Sequence, residues 1–154
     1  MSIENKVEQV DGDHYQAGSG GVQHWDYCVG ANVGYLEGCA TKYLCRWRKK
    51  NGLTDLKKAR HFVKKRIDSV QQGTGAVKGV NIKDGMFNRF ISDNGIPAKE
   101  RGLINVIMHW KRLDQLIETY YGLNSMIHEI ELEKARGIED KEGEPTSAYV
   151  NQDA

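Results

Sequence analysis

The chain has 154 residues, 28% of them charged and 39% apolar, with 22 Lys plus Arg against 21 Asp plus Glu and a net charge of +1. That length suits one compact domain, or one domain with an appendage. The charge balance excludes a uniformly basic, chromatin-like coat, and no apolar run approaches the roughly 20 residues that span a bilayer. Three cysteines, Cys28, Cys39 and Cys45, are odd in number and match no C-x-x-C pattern. Free thiols in a reducing cytoplasm are therefore expected, with no disulfide or zinc framework. The opening MSIENKVEQVDGD has no apolar core of a secretory signal, so none is expected.

Residues 1–12 read as a polar arm, followed by His14-Tyr15, the glycine-rich AGSGG at 17–21 and VQHWDYCV at 22–29. The glycines call for a turned backbone. No Gly-Lys-Ser/Thr follows them, so they are not a Walker A loop. A short helix is predicted over 23–30, with Trp25 and Val29 facing inward at i, i+4. The next stretch, Tyr35 to Arg66, reads as two amphipathic helices around Asn51-Gly52. Stepping about 100° per residue from Leu36 brings Ala40, Tyr43, Leu44 and Trp47 onto one stripe, flanked by Lys42, Arg46 and Lys49 along one edge. Gly52 suits a helix C-terminus, Thr54 a cap of the second helix and Asp55 its first turn. Leu56, Ala59, Val63, Ile67 and Val70 give that second helix its buried stripe.

Residues 73–83 read as a linker or loop, and 84–136 as a second helical region. The latter begins with a short helix ending at Asn94-Gly95. A long helix then starts at Pro97, runs to about Tyr121, and carries the stripe Leu103, Val106, Ile107, Trp110, Leu113, Asp114 and Ile117. Gly122 is expected to break it, LNSMIHEIELEKAR at 123–136 to resume it, and 137–154 to form an acidic, loosely docked tail. No segment alternates as a strand would, so the fold class is all-α.

Charge is concentrated in one place. From Lys42 to Arg66 there are eleven Lys or Arg residues and one acid, Asp55. An anion is the natural partner of such a surface, although helical lysines are most often a solvated face. Tyr35, Tyr43, Trp47 and Phe62 are interleaved with the cations and can stack on a base, while Arg and Lys hold phosphate as a fork and as a point charge. His14, Tyr15, Trp25 and Asp26 lie just upstream.

The ordered array HY at 14–15, GGVQHWD at 20–26, LEGCATKYLCRWRKK at 36–50 and DLKKARHFV at 55–63 resembles a small phage-encoded nucleotide kinase family. These are deoxynucleoside monophosphate kinases without a Walker motif, long known only as a domain of unknown function. The resemblance covers roughly residues 13–68 and matches His14, Tyr15, Gly38, Lys42, Tyr43, Arg46, Asp55, Leu56, Lys58 and Ala59, with Lys49 or Lys50 at the next basic position. Cys39 stands where the family commonly has Asn, and Arg48 where it commonly has Gly. The resemblance implies transfer of a phosphoryl group from a nucleoside triphosphate to dTMP or dGMP. It implies catalytic roles for His14, Lys42, Arg46 and Asp55, and nucleotide contacts from Tyr15, Trp25, Asp26, Tyr43, Lys49 and Lys50. Magnesium is compatible with that chemistry, but the sequence does not show it. An infected host's cytoplasm is the implied location.

Each residue also has a plainer reading: Tyr43 and Trp25 fit a core stripe, and Asp55 fits a helix start. Three other functions use the same features. A module that sequesters a nucleotide without turnover needs the same lining. A nucleic-acid binder would exploit eleven clustered cations, but the near-neutral total and absence of a reader motif argue against it. An all-α nucleoside triphosphate pyrophosphatase needs acids on facing helices to hold magnesium, and Glu129, Glu131 and Glu133 do not share one face. The apolar stripe of the second half is compatible with a homo-oligomer.

Overall fold

The computed structural model describes residues 21–74 and 79–142, and the regular structure among them is helical throughout. The described helices are α1 (His24–Ala31), α2 (Tyr35–Arg46), α3 (Leu53–Gln71), α4 (Asp84–Asp93), α5 (Ala98–His109) and α6 (Leu113–Glu142). The all-α expectation holds.

The centre is the α2–α3 hairpin. Residues 47–52 form its turn, closed by the Gly52 N–H donating to the Trp47 carbonyl at 2.8 Å. Gly52 has φ +54°, which a side chain resists, and it stands at the N-cap of α3. Thr54 therefore sits exposed inside the first turn instead of capping it, while Asp55 is buried. Most of the expected stripes face inward: Ala40 and Leu44 from α2 meet Leu56, Ala59, Val63 and Ile67 from α3, while Leu36 is only half-buried and stands outside that cluster.

The second half completes the same core. α5 packs on α2, and α6 on α3 and α5, adding Ile104, Ile107, Met108, Leu116, Leu123, Met126 and Ile127 to one continuous apolar cluster. α1 packs against α2 and α4.

Three further expectations are corrected. First, the face of α1 that points inward carries Tyr27 and Ala31, both fully buried, whereas Trp25 is 45% and Val29 83% exposed. Tyr27 stacks on Phe90 at 5.7 Å and hydrogen-bonds His109 Nε2 at 2.5 Å. The Trp25–Val29 and Tyr27–Ala31 pairs share i, i+4 spacing, and distant partners choose between them. Second, the long helix expected from Pro97 to Tyr121 breaks at Trp110, whose ψ of 145° leaves the helical region. The Trp110 indole N–H donates to the buried Glu37 carboxylate at 3.1 Å, and the Gln115 side chain accepts from the N–H groups of Lys111 and Arg112 where α6 begins. Third, Gly122 does not interrupt α6. It lies against Leu103 of α5, where a Cβ would come 3.4 Å from Leu103 Cδ2, and the helix runs on past Gly137 to Glu142.

Candidate functional site

At the N-terminal end of α1, Gln23, His24 and Trp25 line a cavity of about 250 Å³ together with Lys42 from α2. Three local facts build it. Asp26 accepts a hydrogen bond from the Gln23 backbone N–H at 2.9 Å, which starts α1 at this point. The first-turn amides of a helix are an anion-favouring end. Lys42, one helix away, adds a full positive charge to the same space.

His24 forms the inner wall, and its chemistry is set by Thr41. The Thr41 hydroxyl donates to the Glu37 carbonyl at 2.8 Å, so its oxygen accepts from His24 Nε2, also at 2.8 Å. That fixes the tautomer: Nε2 carries the hydrogen and Nδ1 the lone pair. Burial first, and the Lys42 charge second, lower the His24 pKa to about 4. The imidazole is a neutral acceptor across the physiological range.

Lys42 also belongs to a cation cluster around the Tyr43 ring. Lys42 Nζ lies 4.9 Å, Arg46 Cζ 4.7 Å and Lys58 Nζ 5.3 Å from the ring centroid, while Phe62 stacks beside it at 5.9 Å. Cation–π attraction holds such a group together. Arg46 is matched by Asp55, which is fully buried and accepts from Nε at 3.2 Å. Lys42 and Lys58 have no carboxylate partner among the described residues, whereas Lys57 pairs with Glu131 and Lys64 with Asp68. Two uncompensated charges share one ring, and a dianion is their electrostatic complement.

The remaining expected residues fall elsewhere. His14 and Tyr15 lie outside the described residues, in the stretch of chain leading to Gly21. Lys49 lines a separate cavity of about 60 Å³ with Trp47, Arg48 and Glu100, and Lys50 is exposed in the interhelical turn. The edge Lys42, Arg46, Lys49 is thus divided, and Lys58 of α3 joins the first two in place of Lys49. His24 and Lys58 were not among the residues selected from sequence. Lys58 was visible in the matched pattern, and His24 gave no local signal beyond its place in GGVQHWD.

Arg48 turns away from the cation cluster. Its Nη2 donates to Glu100 at 2.8 Å, its guanidinium lies 4.3 Å from the Trp47 ring, and Glu100 is buried in the first turn of α5. The added arginine ties the hairpin to the second half of the fold. Arg48→Gly is expected to cost about 1–3 kcal/mol in urea unfolding, since a buried carboxylate loses its cation. The partial exposure of Arg48 keeps the loss below that of a fully buried pair. Unchanged stability would remove this role.

A family model described as a protein of unknown function, DUF3310, matches residues 10–64. The chain is similar to that family across the arm's end, α1, α2 and most of α3, a little over a third of its length. The matched segment contains the cavity, Lys42, the Tyr43 cluster, and His14 and Tyr15. Glu100 lies outside it. No curated protein and no solved structure matches the chain. Among the described residues no three His, Cys, Asp or Glu side chains are grouped to hold a metal ion, and no helix is long and apolar enough to cross a membrane.

Proposed function

We propose that the protein is a nucleotide-binding phosphotransferase of the small phage deoxynucleoside monophosphate kinase type, with the phosphate of the nucleotide held at Lys42. The observation that carries the binding part is the pair of lysines without carboxylate partners, Lys42 and Lys58, meeting on Tyr43 beside a cavity of ligand size. Turnover rests on the sequence resemblance. Phosphoryl transfer asks a protein chiefly for positioning and charge stabilisation. Lys42 and Lys58 give the charge, the half-exposed Trp25 a surface on which a base stacks, and His14 with Tyr15 would come from the chain just ahead of the cavity. Asp55, the carboxylate adjoining the cluster, is engaged by Arg46.

The test is a panel of deoxynucleoside monophosphates with nucleoside triphosphate donors. Diphosphate formation is expected, and Lys42→Met is expected to lower kcat/KM roughly 10- to 100-fold at unchanged Tm. A folded protein that neither binds nor converts any member of the panel overturns the proposal. One observation favours the sequestering alternative: Arg46 and Asp55, two of the four expected catalytic residues, are bound to each other in the interior. Tight recovery of an unmodified nucleotide from native protein, with no turnover, would select that reading.

A further inference from the structure

The cavity at Lys42 presents two unlike groups to a ligand. Lys42 brings a positive charge, and His24 brings an imidazole whose Nδ1 lone pair meets only the Cys28 thiol among the described residues. The charge attracts any oxyanion. The lone pair does not: against a fully deprotonated oxygen it is repulsive, and only an oxygen bearing hydrogen satisfies it. Resting on the phosphate-binding reading above, we propose that His24 Nδ1 is a specificity-determining acceptor that selects a hydrogen-bearing oxyanion, a phosphomonoester monoanion, over an aprotic anion of the same size such as sulfate.

Geometry on three sides supports this assignment. Thr41 holds the Nε2 hydrogen from α2, so the imidazole cannot turn its lone pair onto that neighbour without losing a 2.8 Å hydrogen bond. From α4, the Phe90 ring meets the imidazole edge-on at 5.9 Å and offers no polar partner. On α1 itself, Cys28 Sγ lies 3.9 Å from Nδ1 and 3.6 Å from Nε2, a thiol contact far weaker than an O–H donor and one that burial keeps in its neutral form. The charged group facing His24 is Lys42, which opposes protonation of the ring. His24 therefore stays an acceptor over the pH range in which a phosphomonoester dianion takes up one proton to become the monoanion, near 6.

The consequence runs against simple charge attraction. A site built only from lysines binds phosphate more tightly as its charge rises with pH. With an acceptor in the wall, the protonated form is preferred and affinity rises as pH falls.

The experiment is calorimetric titration of the full chain with a phosphomonoester, methyl phosphate, and with sulfate, at about pH 5.5 and about pH 8, on either side of the ester's second ionisation. The wild type should prefer methyl phosphate over sulfate by roughly ten-fold or more at the lower pH, the scale of one hydrogen bond involving a charged group. His24→Gln places an amide N–H near the Nε2 position, where Thr41 can still accept, and removes the Nδ1 acceptor. It should bring methyl phosphate and sulfate to within about two-fold of each other while both still bind, and His24→Asn, whose amide lies near Nδ1, should retain part of the preference. Equal affinities for the two anions in the wild type, or an unchanged preference in His24→Gln, overturn the inference and leave anion binding at Lys42 standing. If neither anion binds the wild type and Lys42→Met changes nothing, the phosphate site itself falls, and this inference with it.

Discussion

Replacing Asp55 with alanine is expected to lower the stability of the fold by about 3–5 kcal/mol, a large share of the total for a chain of this size. Asp55 has no exposed surface, and Arg46, its partner, is 9% exposed. The carboxylate accepts from Arg46 Nε at 3.2 Å and from the Asn51 backbone N–H at 3.4 Å, so it joins α2, the interhelical turn and α3. Alanine takes this carboxylate from a buried guanidinium and leaves the Asn51 N–H without its acceptor. Urea unfolding checks the figure, and a loss below about 1 kcal/mol would contradict it. A double variant, Arg46→Met with Asp55→Leu, separates structure from function. Apolar pairs of similar size often replace buried ion pairs with little loss, so stability should largely return. If phosphate binding does not return with it, Arg46 acts on the ligand as well as on Asp55. Loss of activity in Asp55→Ala alone would say nothing about catalysis.

What could be read in advance was what is local. Periods of three and four residues placed α2 and α3, because Ala40, Leu44, Leu56, Ala59 and Val63 face the core for reasons contained in a few turns. The Lys42–Arg46 edge was legible for the same reason, since i and i+4 on one helix are neighbours, whereas their meeting on the Tyr43 ring was not. Other features depend on partners that no window of sequence contains. Trp110 leaves the helical region with its indole bonded to Glu37, 73 residues away, and propensity alone favours continuing the helix. Tyr27, and not Trp25, turns inward because His109 and Phe90 wait for it. Arg48 looks like one more cation until Glu100 is placed beside it. His24 becomes a candidate only once Thr41 fixes its tautomer and Lys42 faces the same cavity.

Glu37 shows how these long-range choices combine. It is buried, accepts from Arg66 Nε at 2.5 Å and from Trp110 Nε1 at 3.1 Å, and so gathers α2, α3 and the α5–α6 corner on one carboxylate. The Arg66 guanidinium also lies 5.2 Å from the Trp110 ring centroid. The cations of the hairpin thus divide by function. Arg46, Arg48 and Arg66 each meet a buried acid and hold helices together, while Lys42 and Lys58 meet no acid among the described residues and are the charges assigned to the proposed nucleotide site. Guanidinium suits the first task, since its fork matches a carboxylate, and a mobile ammonium suits the second.

Acid sensitivity should expose His24 directly. In the folded chain its pKa is about 4, against an ordinary value of 6.5 in the unfolded chain. Between those values the unfolded state binds a proton that the folded state refuses, so stability rises with pH across this window. The contribution is fully present above pH 6.5 and is lost as pH falls toward 4, after which this group causes no further change. Two and a half pH units at about 1.4 kcal/mol each give a loss of roughly 3 kcal/mol. His109 adds in the same direction, because burial lowers its pKa as well. Urea midpoints measured from about pH 7 to about pH 4.5 should therefore fall steadily, and His24→Gln should flatten much of that fall without lowering stability at neutral pH by more than about 1 kcal/mol. A wild-type profile already flat over the window, or an identical slope in the variant, would place a protonated or solvated imidazole at position 24. That result would remove the lone pair from the wall of the Lys42 cavity, and the selection of a hydrogen-bearing anion with it.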